Sequence, residues 1–148
     1  MHWIYEDKEV HGHEDLDPLC TDFVYIIHYT NGQAYIGKKR VRAERRLKPT
    51  KAQLAIRKNY VRKEVKDLPF VNYEGSCKET GCLEIASKEI VYQCSAKQTA
   101  SYLEMYLLVT ENALFDPLYL NANVSGTYFN NCLDGLIEDA KGKKNVIT

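Results

Sequence analysis

Residues Phe23 to Arg46, FVYIIHYTNGQAYIGKKRVRAERR, constrain the fold more than any other stretch: two apolar runs flank a Thr-Asn-Gly turn, and a block of positive charge follows. In the first run Val24, Ile26 and His28 alternate with Phe23, Tyr25, Ile27 and Tyr29, the period of a strand whose two faces are used differently. Ala34 to Gly37 is the returning strand. The turn decides which side chains meet, because a slip of one residue carries a whole strand's side chains to the other face. A two-residue Asn31-Gly32 turn would pair His28 with Tyr35 and separate Tyr25 from Tyr35. A three-residue Thr30-Asn31-Gly32 loop, with Gly32 left-handed in a bulge, sets Tyr25 opposite Gly37 and Ile27 opposite Tyr35. The bulged register is expected, because it gathers Val24, Ile26, Ala34 and Ile36 on one core-like face and leaves Tyr25 and Tyr35 together on the other.

At 148 residues the chain is expected to be one domain with a core large enough to need no staples. Five cysteines, Cys20, Cys77, Cys82, Cys94 and Cys132, are an odd number, and MHWIYEDKEV lacks the basic start and apolar region of a secretory segment. No apolar run is long enough to span a bilayer. These features predict a cytoplasmic protein with free thiols and no membrane partner. The zero net charge conceals an asymmetry: thirteen Lys or Arg lie between Lys38 and Lys66 against Glu44 and Glu64 alone, leaving seven basic and eighteen acidic residues elsewhere. Binding to a phosphate backbone responds to such a local field and not to the total.

Residues 1–22 read as an acidic arm in which Trp3, Ile4 and Tyr5 pack on the core. His11, His13 and Cys20 match no standard zinc spacing and read as part of a polar loop. Lys38 to Lys48 is expected to begin as a loop and become helical until Pro49, and Thr50 to cap a second helix through Lys66. That helix would have an apolar side of Leu54, Ile56, Tyr60, Val61 and Val65 and a basic side of Lys51, Arg57, Lys58, Arg62 and Lys63. The basic side lacks the compensating carboxylates of a salt-bridged surface, so DNA contact is favoured over a solvated face. Cys77 and Cys82 form a C-x4-C pair without a second pair at ligand spacing, so zinc is not expected there. Glu89 to Cys94 reads as a third strand. Ser95 and Gln98 fit a capping box opening a helix to about Thr110. In that helix Glu104 shares a stripe with Ala100, Ser101, Leu107 and Leu108, and a carboxylate among apolar neighbours needs a cation or a donor. A salt bridge to an arginine and a divalent metal both satisfy it.

Val24-Tyr25, then Tyr35-Ile36-Gly37 ten positions on, then Arg45 ten positions after that, resembles the core of the GIY-YIG nuclease family, with Phe23 in place of the opening Gly. The resemblance spans Phe23 to Phe129 and is closest to small phage-encoded members, for which the compartment would be the host cytoplasm. It implies a metal-binding Glu on the helix after the third strand, which is Glu104, and an Asn just beyond that helix, matched by Asn121 with Asn123 as the near alternative. It further implies Tyr25 as general base, Tyr35 orienting water or phosphate, and Arg45 clamping the scissile phosphate. Residues 130–148, a short amphipathic helix and basic tail, are too few for the separate DNA-reading domain of the family's modular homing enzymes.

The fold expected is a small α/β domain, a three-stranded, mainly antiparallel sheet (Phe23–Tyr29, Ala34–Gly37, Glu89–Cys94) flanked by helices, with 23–129 as the nuclease-like unit. The function expected is hydrolysis of DNA phosphodiesters with Mg²⁺ or Mn²⁺, by nicking or by double-strand cleavage, the latter calling for a homodimer. The catalytic set is Tyr25, Tyr35, Arg45, Glu104 and Asn121, and the DNA-binding set is Lys38, Lys39, Arg40, Arg42, Arg46, Arg57, Lys58, Arg62 and Lys63. Two alternatives stay open: a DNA-binding module on the same fold that does not cut, and a zinc-stabilised interaction protein using Cys77, Cys82, Cys94 and a His.

Overall fold

The hairpin forms in the bulged register, with Tyr25 opposite Gly37, Ile27 opposite Tyr35 and His28 opposite Ala34. Gly32 has φ +87°, the left-handed conformation that the three-residue loop requires. Asn31 braces the loop, its Oδ1 accepting from Gln33 N–H at 2.9 Å. The computed structural model describes residues 1–75, 83–124, 126 and 128–129. The Cys77–Cys82 pair and the C-terminal helix and tail lie outside the described residues. The strands are β1 (Trp3–Tyr5), β2 (Lys8–Val10), β3 (Asp22–Tyr29), β4 (Ala34–Arg40), β5 (Arg42–Leu47), β6 (Arg62–Asp67), β7 (Ile85–Cys94), β8 (Asn123–Val124) and β9 (Tyr128–Phe129), and the helices are α1 (Lys51–Ile56) and α2 (Lys97–Thr110).

The main sheet has five strands in the order β2-β1-β7-β3-β4, not the three expected. The N-terminal segment supplies the extra two: β1 runs parallel to β7, with Trp3 opposite Lys88, and β2 folds back antiparallel on β1. Glu6 and Asp7 make the two-residue turn between them at φ 49° and 65°, a left-handed pair that side chains with a Cβ enter at a cost.

Both faces of the sheet are packed, so the face carrying Tyr25 is core as well. On one side Trp3, Phe23, Tyr25, Ile27, Tyr29, Phe70 and Ile90 form a largely aromatic layer. Trp3 meets Phe23 and Tyr25 edge-on at 5.1 and 5.2 Å, the arrangement in which ring quadrupoles attract. On the other side α2 lays Ala100, Leu107 and Leu108 on Val24 and Ile36. The helix opens with Ala96, not Ser95, at its N-cap and no side-chain cap, so the Ser95–Gln98 box does not form.

Lys88 sits inside the aromatic layer at 2% exposure. Its ammonium donates to Val71 O at 3.0 Å and Tyr73 O at 3.1 Å and lies 4.7 Å from the Trp3 ring centre. Burial pulls its pKa down and Glu74 pushes it back. A buried cation persists only when its donors are satisfied, and here that requirement holds the 70–75 segment against the sheet.

The expected helices after the hairpin are corrected. Thr50 does cap a helix, with the reciprocal Thr50–Gln53 box, but α1 ends at Ile56. The rest becomes a ribbon: β5 pairs antiparallel with β6, from Arg42 opposite Asp67 to Leu47 opposite Arg62. Leu54, Ile56, Val61 and Val65, expected to bury a helix side, are exposed. The ribbon is a separate two-stranded sheet.

Candidate active site

The site begins with β4, whose alternation sends neighbouring residues to opposite faces of the sheet. Tyr35, Gly37 and Lys39 share the aromatic face with Tyr25, while Ile36 and Lys38 face α2. The Tyr25 ring is wholly buried. Its centre lies 6.4 Å from that of Tyr35 and 5.9 Å from that of Tyr73, with Tyr25 Oη 3.5 Å from Tyr73 Oη. Lys39 Nζ stands 4.4 Å from the Tyr73 ring centre, placing one cation at this cluster of phenols. Gly37 is required by its surroundings: a Cβ there would fall 2.6 Å from Tyr25 Cζ. The Tyr-Ile-Gly triplet thus leaves floor space for the Tyr25 ring.

On the opposite face Lys38 Nζ donates to Ser101 Oγ of α2 at 2.6 Å, and that hydroxyl donates to Lys97 O at 3.0 Å. One turn further along α2, Glu104 is half-buried. Loss of water raises its pKa, and the Lys38 charge draws it back. Among the described residues the ion pairs are His11–Glu9, Arg42–Asp67 and Lys63–Glu44, so no arginine there neutralises Glu104. One desolvated carboxylate suits Mg²⁺, which keeps several waters and takes only one or two protein carboxylates together with substrate phosphate.

Asn121 joins the site from outside the strand. Its Oδ1 accepts from Ile36 N–H at 3.0 Å and its Nδ2 donates to Ile36 O at 2.7 Å, closing the edge of β4 beside Tyr35 and Gly37. Asn123, the alternative, makes a local turn, accepting from Gly126 N–H at 2.8 Å.

The structure therefore brings Tyr25 together with Tyr35, and Lys38 with Glu104, but sets the two pairs on opposite faces of one sheet. Arg45 lies apart from both, exposed on β5 opposite Glu64. Of the basic residues singled out, Arg40, Arg46, Arg57, Lys58, Arg62 and Lys63 are exposed. Arg42 is withdrawn: its guanidinium donates to the carbonyls of Asp17 at 2.7 Å, Cys20 at 2.8 Å and His13 at 3.1 Å, tying the ribbon's base to the N-terminal segment. His13 Nε2 lies 2.9 Å from Val41 O and Cys20 Sγ donates to Asp22 O, so these two side chains tie the N-terminal segment to the core.

Two residues at the site escape a reading of the sequence. Tyr73 sits 48 positions from Tyr25, and nothing local marks the encounter. Lys88 carries a usable signal, since it occupies the same strand face as Ile90, a charge at a core position.

Residues 3–132 match the family model described as "Putative endonuclease segE, GIY-YIG domain". Neither curated proteins nor solved structures give a match.

Proposed function

The chain belongs to the GIY-YIG endonuclease family, and on that premise we propose that it cuts DNA with a divalent cation, Mg²⁺ or Mn²⁺, held at Glu104. The observation carrying this reading is the half-buried Glu104 carboxylate that no ion pair among the described residues neutralises, with the Lys38 ammonium as neighbouring charge. A cation there supplies charge for a phosphoryl oxygen and favours deprotonation of water. The clamping role that the resemblance gives Arg45 requires bound DNA to bridge the ribbon and α2, since Arg45 lies apart from Glu104 as packed, and a guanidinium suits that task because its planar fork matches two phosphate oxygens. Asn121 keeps the β4 backbone in place. The base role that the resemblance gives Tyr25, and the orienting role of Tyr35, require the 70–75 segment to lift from the Tyr25 ring and bound DNA to reach round the β4 edge toward Glu104, since that ring is inaccessible as packed and lies on the face away from α2.

DNA seats on the ribbon in this proposal. A two-stranded β-ribbon has the width to enter a major groove, and Arg46, Arg57, Lys58, Arg62 and Lys63 supply the positive charge. With one Glu104 per chain, a single copy nicks, and a double-strand break needs a second copy.

The test is nicking of supercoiled plasmid with Mg²⁺, with Mn²⁺ and with chelator, run beside DNA binding. Wild-type protein nicks only with metal, while Glu104→Gln binds DNA and does not cut. Chelator-resistant cleavage, or wild-type cleavage by the Gln variant, overturns the Glu104 assignment. Placement of Tyr25 and Glu104 on opposite faces favours the other reading, a domain that binds without cutting. Metal-dependent nicking excludes it.

A further inference from the structure

On the outer hairpin, at the opposite edge of the sheet from β4, we propose a second metal site of a different kind: His2, Glu9 and His11 bind one Zn²⁺. The register creates it. Trp3 pairs with Val10 and Ile4 with Glu9, so His2 and His11 are the next pair outward, and Glu9, two residues from His11, shares their face. Trp3 and Val10 point the other way, into the aromatic core. The two imidazole centres are 4.3 Å apart, His11 Nε2 lies 3.2 Å from Glu9 Oε2, and one ligand atom from each of the three residues falls within 4.8 Å of the others.

Tetrahedral zinc with bonds of about 2.0–2.2 Å needs its ligand atoms roughly 3.4 Å apart. The His11–Glu9 separation already meets this, and the remaining contraction needs only side-chain rotation, because all three residues are exposed. Two imidazoles and a carboxylate are a donor set for zinc, with a fourth position left to water. Imidazole is a poor ligand for Mg²⁺, so the site does not compete for the ion assigned to Glu104. Sequence spacing alone could not show it: His2 lies nine residues from His11, and the strand turn at Glu6-Asp7 brings them together. Bound there, Zn²⁺ ties β1 to β2 at their open end. It thereby stabilises the strand whose Trp3 packs on Tyr25 and donates from Nε1 to Phe70 O at 3.0 Å.

The experiment is a titration of metal-stripped, reduced full chain with Zn²⁺ in competition with a chromophoric chelator, followed by thermal melts and by Co²⁺ absorption. Wild type binds one Zn²⁺ at this site and melts higher with it, a rise that His11→Ala loses, whereas any rise with Mg²⁺ through Glu104 is the same in both proteins. His11→Ala and His2→Ala each lower affinity about 100-fold or more, given that even residues behind the ligands commonly account for 10–100-fold. Glu9→Gln weakens binding with the fold intact, and the Co²⁺ spectrum lacks thiolate charge-transfer bands. Unchanged Zn²⁺ affinity in the His2→Ala/His11→Ala double variant overturns the proposal, as does a thiolate spectrum that the substitutions leave alone, which would assign the metal to cysteines. His11→Ala retains Mg²⁺-dependent nicking, so failure here and failure of the nuclease reading are read separately.

Discussion

Replacing Gly37 by Ala tests whether the Tyr-Ile-Gly triplet owes its glycine to the Tyr25 ring. The new Cβ would sit 2.6 Å from Tyr25 Cζ and 3.1 Å from Cε1. Carbon atoms prefer about 3.5–4.0 Å, so the ring or β4 must move by roughly 1 Å. Escape is blocked by Trp3 at 5.2 Å and Tyr73 at 5.9 Å between ring centres, around a ring with no exposed surface. Overpacking of this kind costs about 1–3 kcal/mol, and the upper half of that range is expected here because the surroundings are rigid aromatics. A domain of this size retains its fold after such a loss. Urea unfolding should show a lower midpoint at unchanged slope, and plasmid nicking should fall by about 10²-fold if Tyr25 acts in cleavage. The decisive measurement is a double-mutant cycle with Tyr25→Phe, which deletes the oxygen nearest the new methyl. Gly37→Ala should cost about 1 kcal/mol less in that background. A wild-type midpoint for Gly37→Ala, or strict additivity in the cycle, would refute the steric argument.

Four further outcomes are expected. Burial raises the Glu104 pKa above its ordinary 4.5, so the folded state holds the proton more tightly and stability falls as pH rises through the interval between the two values. Glu104→Gln should therefore be more stable than wild type at neutral pH in metal-free urea melts, with the gap closing below about pH 4.5; equal stability at pH 7 counts against desolvation. Asn121→Ala strips the buried Ile36 amide and carbonyl of their partners and should cost about 2–4 kcal/mol by the same assay, and a loss under about 0.5 kcal/mol would contradict the bridge. Changing Arg57, Lys58, Arg62 and Lys63 to Glu should weaken binding to every DNA sequence, and changing them to Gln should reduce the salt slope by about 0.9 for each phosphate no longer neutralised; an unaltered slope would show that these residues only face solvent. Glu6→Asn with Asp7→Gly suits the left-handed turn and should add about 1–2 kcal/mol to the unfolding free energy, whereas destabilisation would mean the wild-type side chains make interactions there that the turn needs.

The features legible in the chain were the local ones. The period of Phe23 to Tyr29, with a glycine at position 32, was enough to select the bulged register, because turn geometry and pairing are set within a dozen residues. Thr50 and the C-terminal end of α2 were readable for the same reason, as was Glu104 as a carboxylate in an apolar stripe. Residues 42–67 misled: Lys, Arg, Gln and Ala are good helix formers, and the apolar residues fell at helical spacing. What made strands of both ends was their pairing with each other, including Lys63 Nζ at 2.6 Å from Glu44 Oε1, and that partner lies beyond the dozen residues within which local propensity acts. Tertiary structure also decided that β1 adds to β7, more than eighty residues away, that Tyr73 lies over Tyr25, and that His2 meets Glu9 and His11. An alternating strand announces that it has two faces. Which elements cover each face is settled by packing between distant segments, and that placed Tyr25 in an aromatic core on one side and Glu104, carried by α2, on the other.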